Sequence, residues 1–244
     1  MTYIGIDTNI WIYLAKSTSL VEIWKKLVSM QQNSEIQIFI NEAVMFEWKR
    51  NKQTTIESVT KEIKKEYDSA KRIADYLPTE TKVAYLEIIS KYSDEKNRIA
   101  QAEARVEEVE KFMIENCSSV PVTESQKLYI AELAIHNKPP FQNRKNNYND
   151  ALILRSLCEF IIKENYVLHD LIYVSNNPDD FIDKSTNKVH SSLLDGVENI
   201  RLKNVTDLGH ALHIAPNLVE EINQWLEYEL QSESMYQLDV IRGK

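Results

Sequence analysis

Glycine is scarce in this chain, whose 244 residues include four glycines and six prolines. Average proteins contain about 7% glycine, and glycine supplies the left-handed backbone conformations of many tight turns. The composition therefore favours long helices with some strands over a hairpin-rich fold. It also excludes the glycine-rich loops that bind phosphate groups, because Gly5, Gly196, Gly209 and Gly243 are too widely separated to form one.

Uninterrupted apolar segments are absent as well. No run reaches the roughly 18 apolar residues of a membrane span, and no basic region precedes an apolar one at the N-terminus. We therefore expect no membrane partner and no secretory signal. Cys117 and Cys158 lack both the spacing of a zinc site and the density of a disulfide framework, so they predict reduced thiols in a cytoplasmic protein.

The formal net charge of −8 argues against a nucleic-acid partner at first sight, but the distribution of charge matters more than its sum. Residues 204–240 contain seven acidic residues and no Lys or Arg. Residues 49–72 instead contain eight Lys or Arg against four acidic residues. Such a basic segment is compatible with phosphate binding. An ordinary solvated helix face is the competing interpretation, and the intermixed acidic charges favour it.

Short β-rich segments alternate with helical ones along the chain. Strands are predicted at residues 2–7, 36–40, 119–122, 171–175 and 200–202. Strands that are separated by helices pair in parallel, so the pattern predicts an α/β fold. We expect a three-layer α/β/α sandwich around a mostly parallel central sheet, formed as a single domain over residues 1–244.

A long helical insertion, at about residues 54–117, interrupts this alternation. Apolar residues recur every three or four positions from Ile56 to Leu77, Pro78 stops the first helix, and the period then continues to Met113. We interpret the insertion as two or three antiparallel helices that serve as a scaffold or an oligomer interface. An acidic helical tail is predicted at about residues 216–244.

Acidic and amide side chains follow the predicted strands. Asp7 ends the first strand, Glu47 lies on the helix after the second, Asp150 opens an apolar helix, and residues 175–181 (SNNPDDF) follow a later strand. Ligands of parallel sheets bind beyond the carboxyl ends of the strands. Two carboxylates about 4 Å apart repel each other by roughly 4 kcal/mol at an effective dielectric constant of 20. Such a cluster is therefore expected around cations, and oxygen ligands indicate Mg²⁺ or Mn²⁺ rather than zinc.

Four segments resemble, in order, the motifs of the PIN-domain nuclease family. They are Asp7-Thr8-Asn9, residues 40–48 (INEAVMFEW), residues 149–153 (NDALI) and residues 174–181 (VSNNPDDF). Each motif alone is common, so the resemblance depends on the four occurring together in register. It implies a PIN-like fold and a metal-dependent endonuclease that acts on RNA. It also implies a prokaryotic protein with a toxin-like or defence role.

The resemblance also implies a role for individual residues. The ligands of one or two Mg²⁺ or Mn²⁺ ions would be Asp7, Glu47, Asp150, Asn177 and Asp180, and the four carboxylates among them would be catalytic. Thr8, Asn9 and Ser175 would orient these ligands. Asn177 stands where the family frequently has an aspartate, which lowers the charge available to a second ion.

Basic and aromatic side chains near these acids are expected to contact nucleic acid. Arg144 and Lys145 precede Asp150, and Lys49 and Arg50 follow Glu47. Tyr148 is expected to stack on a base. The implied partners are single-stranded or structured RNA, a protein partner or antitoxin, and a second copy of the chain.

Two other functions stay open at this point. A non-catalytic PIN-like module would bind nucleic acid or assemble with a partner, and Asn177 and the acidic tail favour it. A phosphoryl-transfer enzyme of the haloacid-dehalogenase kind also has an aspartate after its first strand, but it requires a second aspartate where Asn9 stands. Each acid has a structural explanation too: Asp7 or Asp150 as a helix cap, and Glu47 as a solvated helix residue.

Overall fold

The strands of the computed structural model are β1 (Thr2–Ile6), β2 (Ile36–Asn41), β3 (Ser118–Val120), β4 (Asp170–Val174), β5 (Ile182–Asp183), β6 (Lys188–Val189) and β7 (Arg201–Val205). Five of them form a parallel central sheet, in the order β3-β2-β1-β4-β7. The structure describes residues 2–143, 147–164, 170–177, 181–183, 185–186, 188–197 and 199–216. The predicted acidic tail lies outside these residues, except for its first position.

Helices occupy the segments between the strands. They are α1 (Thr8–Lys16), α2 (Val21–Gln32), α3 (Glu42–Ile73), α4 (Thr79–Ile89), α5 (Glu95–Asn116), α6 (Glu124–Ile135), α7 (Tyr148–Lys163) and α8 (Ser191–Leu194), and residues 208–216 are also helical. The chain moves from β1 to β2 to β3 on one side of the sheet and then crosses to β4 and β7 on the other. Right-handed crossovers therefore place α1 to α5 on one face and α6 to α8 on the opposite face. This arrangement confirms the predicted α/β/α sandwich.

The central strand β1 is buried along its whole length, with β2 and β4 paired on either side of it. Strands that are covered on both faces read as continuous apolar runs, which is how this segment was recognisable in the sequence. The edge strand β3 ends at Val120, two residues earlier than predicted. Pro121 follows it and has no N–H group to donate to a sheet ladder. Strand β7 extends three residues beyond the predicted segment at its carboxyl end, to Val205.

Helix α3 runs without interruption for 32 residues. Its first turn is capped by Asn41, whose side chain accepts a hydrogen bond from the backbone N–H of Ala43 at 2.7 Å. The Glu47 segment and the first helix of the predicted insertion are therefore one continuous helix. None of the helices that the structure describes combines the length and the hydropathy needed to cross a membrane.

The insertion helices pack on α1 and α2 through aromatic side chains. The ring of Trp24 lies edge-on to Phe112 of α5, with 5.0 Å between centroids, and its indole N–H donates to Glu108 at 2.9 Å. The guanidinium group of Arg105 stacks over the Trp24 ring, 4.8 Å from its centroid. Ile56 and Val59 of α3 are buried in the same cluster. The core thus extends from the sheet into the insertion.

Gly5 permits a close approach between the sheet and α7. A Cβ atom at this position would lie 2.7 Å from Leu157 Cδ1 and 3.3 Å from Tyr173 Cδ2. Real carbon atoms do not approach to 2.7 Å without a shift of one of them, so the absence of a side chain at residue 5 sets the spacing of helix and sheet at this point.

We predict that Gly5→Ala lowers the free energy of unfolding by about 1–3 kcal/mol, the usual range for an overpacked core. Urea denaturation measures the change. Since Leu157 is the side chain that must move, the loss caused by Gly5→Ala is expected to be smaller in a Leu157→Ala background. Strictly additive losses in this double-mutant cycle would contradict the close-approach explanation.

Candidate active site at the carboxyl edge of the sheet

Asp7 is the residue that follows the central strand, and it is almost fully buried, at 1% exposure. Its backbone N–H donates to the carbonyl of Val174 at 3.0 Å, which extends the pairing of β1 with β4 by one residue. The Oδ2 atom accepts a hydrogen bond from the Ser175 hydroxyl at 3.0 Å. The Oδ1 atom is buried and has no hydrogen-bond partner among the described residues. A buried carboxylate oxygen without a partner is costly, so this atom has an unused acceptor position.

The environment of Asp7 raises the pKa of its carboxyl group to about 6. Burial is the main cause, because it disfavours the charged form. The Ser175 hydroxyl and the nearby backbone N–H groups of Thr8 and Asn9 oppose this effect, whereas the negative charge of Glu47 adds to it. Asp7 occupies the N-cap position of α1, but its side chain forms no capping hydrogen bond. Capping therefore does not account for the aspartate.

Glu47 lies on the second turn of α3 and is half-buried. Both of its carboxylate oxygens accept hydrogen bonds: Oε2 from the Thr8 hydroxyl at 2.7 Å, and Oε1 from the Asn149 side-chain amide. Its partners come from the start of α1 and the start of α7. Glu47 thus joins three segments that are far apart in the sequence, which a solvated helix residue would not do.

Asp150 lies in the first turn of α7 and is half-buried. The cap position of this helix belongs to Asn147, so the explanation of Asp150 as a plain cap is wrong. Its charge, with those of Asp7 and Glu47, acts on the phenol of Tyr173. Burial and these nearby negative charges hold the pKa of Tyr173 well above its ordinary value. The three acids are therefore each close enough to this buried phenol for their charges to act on it.

The segment after β4 carries two residues of the site, Ser175, which contacts Asp7, and Asn177, which lies at the surface. The backbone N–H of Ser175 donates to the carbonyl of Val205 at 3.1 Å, and its hydroxyl accepts from the backbone N–H of Asn177 at 3.2 Å. The serine hydroxyl is thereby held between the loop and Asp7. The Asn177 side chain is exposed. Asp180 lies outside the described residues.

The donor set of this edge is suited to a hard divalent cation, because it consists of carboxylate, hydroxyl and amide oxygens. The unpartnered Oδ1 atom of Asp7 provides an acceptor position that such an ion would fill. In the part of the chain that the structure describes, however, no group of three or more acidic, His or Cys side chains is close enough to hold a metal ion. The described acids therefore fit an ion by their chemistry, and the complete ligand set stays a prediction.

The residues predicted to contact nucleic acid have different surroundings. Lys49 and Arg50 are exposed on α3, next to Glu47. Tyr148 is half-buried against the core, and its hydroxyl donates to the carbonyl of Lys127 at 2.9 Å, so its ring is part of the packing between α6 and α7. Arg144 and Lys145 lie outside the described residues. Asn9, which was expected to orient ligands, is exposed.

Two residues of this edge were not singled out by sequence reasoning. Asn149 donates to Glu47, and its position next to Asp150 in the third motif was the available signal. Tyr173 lies within an apolar strand, and its hydroxyl has no partner among the described residues. The sequence carried no signal for Tyr173, because a tyrosine in a buried strand is typical of core packing.

We predict that Asp7→Asn stabilises the metal-free protein at neutral pH. The folded-state pKa of about 6 lies above the ordinary 3.8, so the folded protein binds the proton more tightly than the unfolded chain does. The stability linked to this group is present below pH 4 and is lost as the pH rises through 6. The gain from Asp7→Asn should therefore grow between pH 4 and 6 and level off near 3 kcal/mol, at about 1.36 kcal/mol per pKa unit.

Urea denaturation in EDTA buffers from pH 4 to 7 measures this gain. Asp183→Asn is the matched control, because hydrogen bonds from Ser185 lower the pKa of that exposed carboxyl group. Removing Asp183 should give a pH dependence of the opposite sign. A gain for Asp7→Asn that is independent of pH would contradict a raised pKa at Asp7.

Comparison with known proteins places the site in a family. A family model described as PIN domain matches residues 4–181, which include Asp7, Glu47, Asp150 and Asn177. Neither the curated proteins nor the solved structures contain a significant match to the chain. PIN domains are in general nucleases, so the match supports a nuclease-type function. Because the matched region covers well over half of the sequence, the chain belongs to the PIN domain family.

Proposed function

We propose that this protein is a divalent-metal-dependent endoribonuclease whose active site lies at the carboxyl edge of the central sheet. The observation that carries the proposal is the Asp7 carboxylate, which is buried, has an unpartnered oxygen and is close enough to Glu47 for their charges to interact. Burying a carboxylate with an unpartnered oxygen lowers the stability of a fold, so stability alone does not account for this group. Membership of the PIN domain family supports the same conclusion.

Asp7, Glu47 and Asp150 are the proposed ligands of Mg²⁺ or Mn²⁺, with Asn177 and Asp180 as further ligands and Asp180 as the fourth catalytic carboxylate. A bound ion of this kind stabilises negative charge on the phosphate and lowers the pKa of water. The chain itself holds the acids in place. Thr8 and Asn149 fix the two oxygens of Glu47, and Ser175 fixes one oxygen of Asp7.

The finer features of the proposal depend on the resemblance. RNA as substrate, a toxin-like or defence role in a prokaryotic cytoplasm, an antitoxin or other protein partner, and self-association follow from it. The exposed cations Lys49 and Arg50 beside Glu47 support contact with phosphate groups. Arg144 and Lys145 are proposed as further phosphate contacts. Tyr148, at the start of α7, is proposed to lie beside the bound RNA.

We predict that Asp7→Asn and Asp150→Asn each reduce cleavage of RNA at least 100-fold in Mg²⁺ or Mn²⁺ while the protein stays folded. Each change removes a charged oxygen ligand at nearly constant volume. Gel analysis of labelled RNA measures cleavage, circular dichroism measures folding, and Mn²⁺ titration followed by electron paramagnetic resonance measures ion binding. Asp195→Asn, an exposed aspartate after α8, is the control and should leave all three unchanged.

Three outcomes separate the candidate functions. Loss of both cleavage and Mn²⁺ binding in the two variants supports the proposal. Cleavage that survives in EDTA would contradict metal dependence. Absence of cleavage in the unmodified chain, together with RNA binding that does not require a metal, would replace the enzyme by a non-catalytic binding module.

We also predict that removing either hydroxyl that holds an acid weakens Mn²⁺ binding or activity 10- to 100-fold, the usual effect of losing an outer partner of a metal ligand. The changes are Thr8→Val and Ser175→Ala. Thr60→Val and Ser90→Ala are matched controls, because those hydroxyls donate to backbone carbonyls of the helical insertion instead. Equal effects of all four changes would show that the two hydroxyls have no special role at the site.

A further inference from the structure

The charges of helix α3 are sorted by face. An α-helix advances 100° per residue, and the buried residues of α3, Val44, Trp48, Thr55, Ile56 and Val59, fall on one side. The opposite side carries seven exposed cations, namely Lys49, Arg50, Lys61, Lys64, Lys65, Lys71 and Arg72. Within residues 49–72 two acidic residues, Glu57 and Asp68, lie on that side, and Glu42 and Glu47 lie on it at the start of the helix. We call these seven cations, with Phe46, the α3 basic face.

The other charges of α3 point away from this face. Lys52 forms an ion pair with Glu110 of α5 at 2.5 Å. Glu62 and Glu66 line a cleft of about 440 Å³ between α1, α3 and α5. The sequence suggested an ordinary solvated helix with intermixed charges. In three dimensions two of the four acidic residues of segment 49–72, Glu62 and Glu66, lie on the flank that meets α5, and Glu57 and Asp68 lie among the cations. The basic face is therefore a distinct surface feature.

Most of these cations are not neutralised within the described part of the chain. Lys65 pairs with Glu62 at 3.1 Å, and Arg72 donates to the Ser69 hydroxyl. No ion pair joins Lys49, Lys61 or Lys64 to any carboxylate of the described residues. A concentrated positive surface on a chain of net charge −8 attracts polyanions to one location.

Phe46 lies at the end of this surface that is next to the candidate active site. Its side chain is 68% exposed, although it is a large apolar group, and the next residue is Glu47. Phe46 precedes Lys49 and Arg50 by three and four residues, so the three side chains share one helix face. Exposed aromatic rings among cations are the usual platform for unstacked bases.

We propose that the α3 basic face binds a single strand of RNA that leads away from Glu47, with a base stacked on Phe46 and phosphates along the cations. This inference rests on the proposed function, and it specifies how the substrate is held. From Lys49 to Arg72 the helix extends about 35 Å, at 1.5 Å per residue. The enzyme therefore distinguishes long strands from short ones, because only a long strand reaches the distal cations. A single strand is specified because a duplex keeps its bases stacked on each other.

The test measures RNA binding to the full chain in the Asp7→Asn background, in which cleavage is expected to be lost. Fluorescence anisotropy compares oligouridylate strands of about 4 and about 30 nucleotides at several salt concentrations. The distal variant is Lys61→Gln, Lys64→Gln and Lys71→Gln combined. For single strands each lost phosphate contact lowers the slope of log Kd against log salt by about 0.7. The 30-nucleotide slope should thus decrease by about 2, with the 4-nucleotide Kd unchanged.

A matched control changes the same amount of charge elsewhere on the surface. Lys25→Gln, Lys26→Gln and Lys111→Gln combined removes three exposed cations of α2 and α5, and it should alter neither slope. At the proximal end, Phe46→Leu is expected to weaken binding of both strands roughly 5- to 150-fold, the range for loss of one stacked base. Phe46→Trp should retain binding.

The outcomes overturn the proposal in separate ways. An unchanged slope for the distal variant, or an equal change for the control variant, would show that α3 does not contact the strand. If the distal variant lost polyglutamate binding and RNA binding equally, the α3 basic face would be a surface for acidic proteins instead. If the unmodified chain binds as expected and cleaves neither strand, the proposed nuclease function fails while the binding surface stands.

Discussion

An ionisable carboxyl group held in the interior at the end of the central strand is the constraint on which the site depends. Asp7 is covered by the start of α1 and by the loop after β4, and burial shifts its pKa to about 6. The backbone bond from Asp7 to Val174 and the hydroxyl of Ser175 hold it there. The fold tolerates an unfavourable charge at this position, and such tolerance is typical of sites selected for chemistry rather than stability.

The remaining acids are kept near Asp7 by links between distant segments. Glu47 bonds to Thr8 and Asn149, so α3 and α7 cannot move apart at this edge without breaking hydrogen bonds to a carboxylate. Deeper in the structure, the side chain of Asn41 caps α3 and also bonds to the Ser156 hydroxyl of α7. The two helices that carry Glu47 and Asp150 thus share one polar connection at the site and another below it.

The order of strands and helices was predictable from the sequence because parallel strands are continuous apolar runs, and β1 and β4 are examples. The four motifs that carry the acids could also be located in the sequence, because each one follows a predicted strand or begins a predicted helix. Other features were not visible. The pairing of Asn149 with Glu47 spans 102 residues, and no local pattern encodes such a contact. The sorting of charges on α3 appeared as mixing in one dimension, because neighbours in sequence lie 100° apart on a helix.

Helix α3 continues from the acid segment into the insertion without a break, and this makes the insertion inseparable from the rest of the protein. Ile56 and Val59 belong to the same hydrophobic cluster as the strands, and Phe112 of α5 covers Trp24 of α2. Excising the insertion to obtain a minimal domain would uncover these side chains and remove the support of the helix that bears Glu47. A shortened protein would fail by aggregation before its chemistry was ever measured.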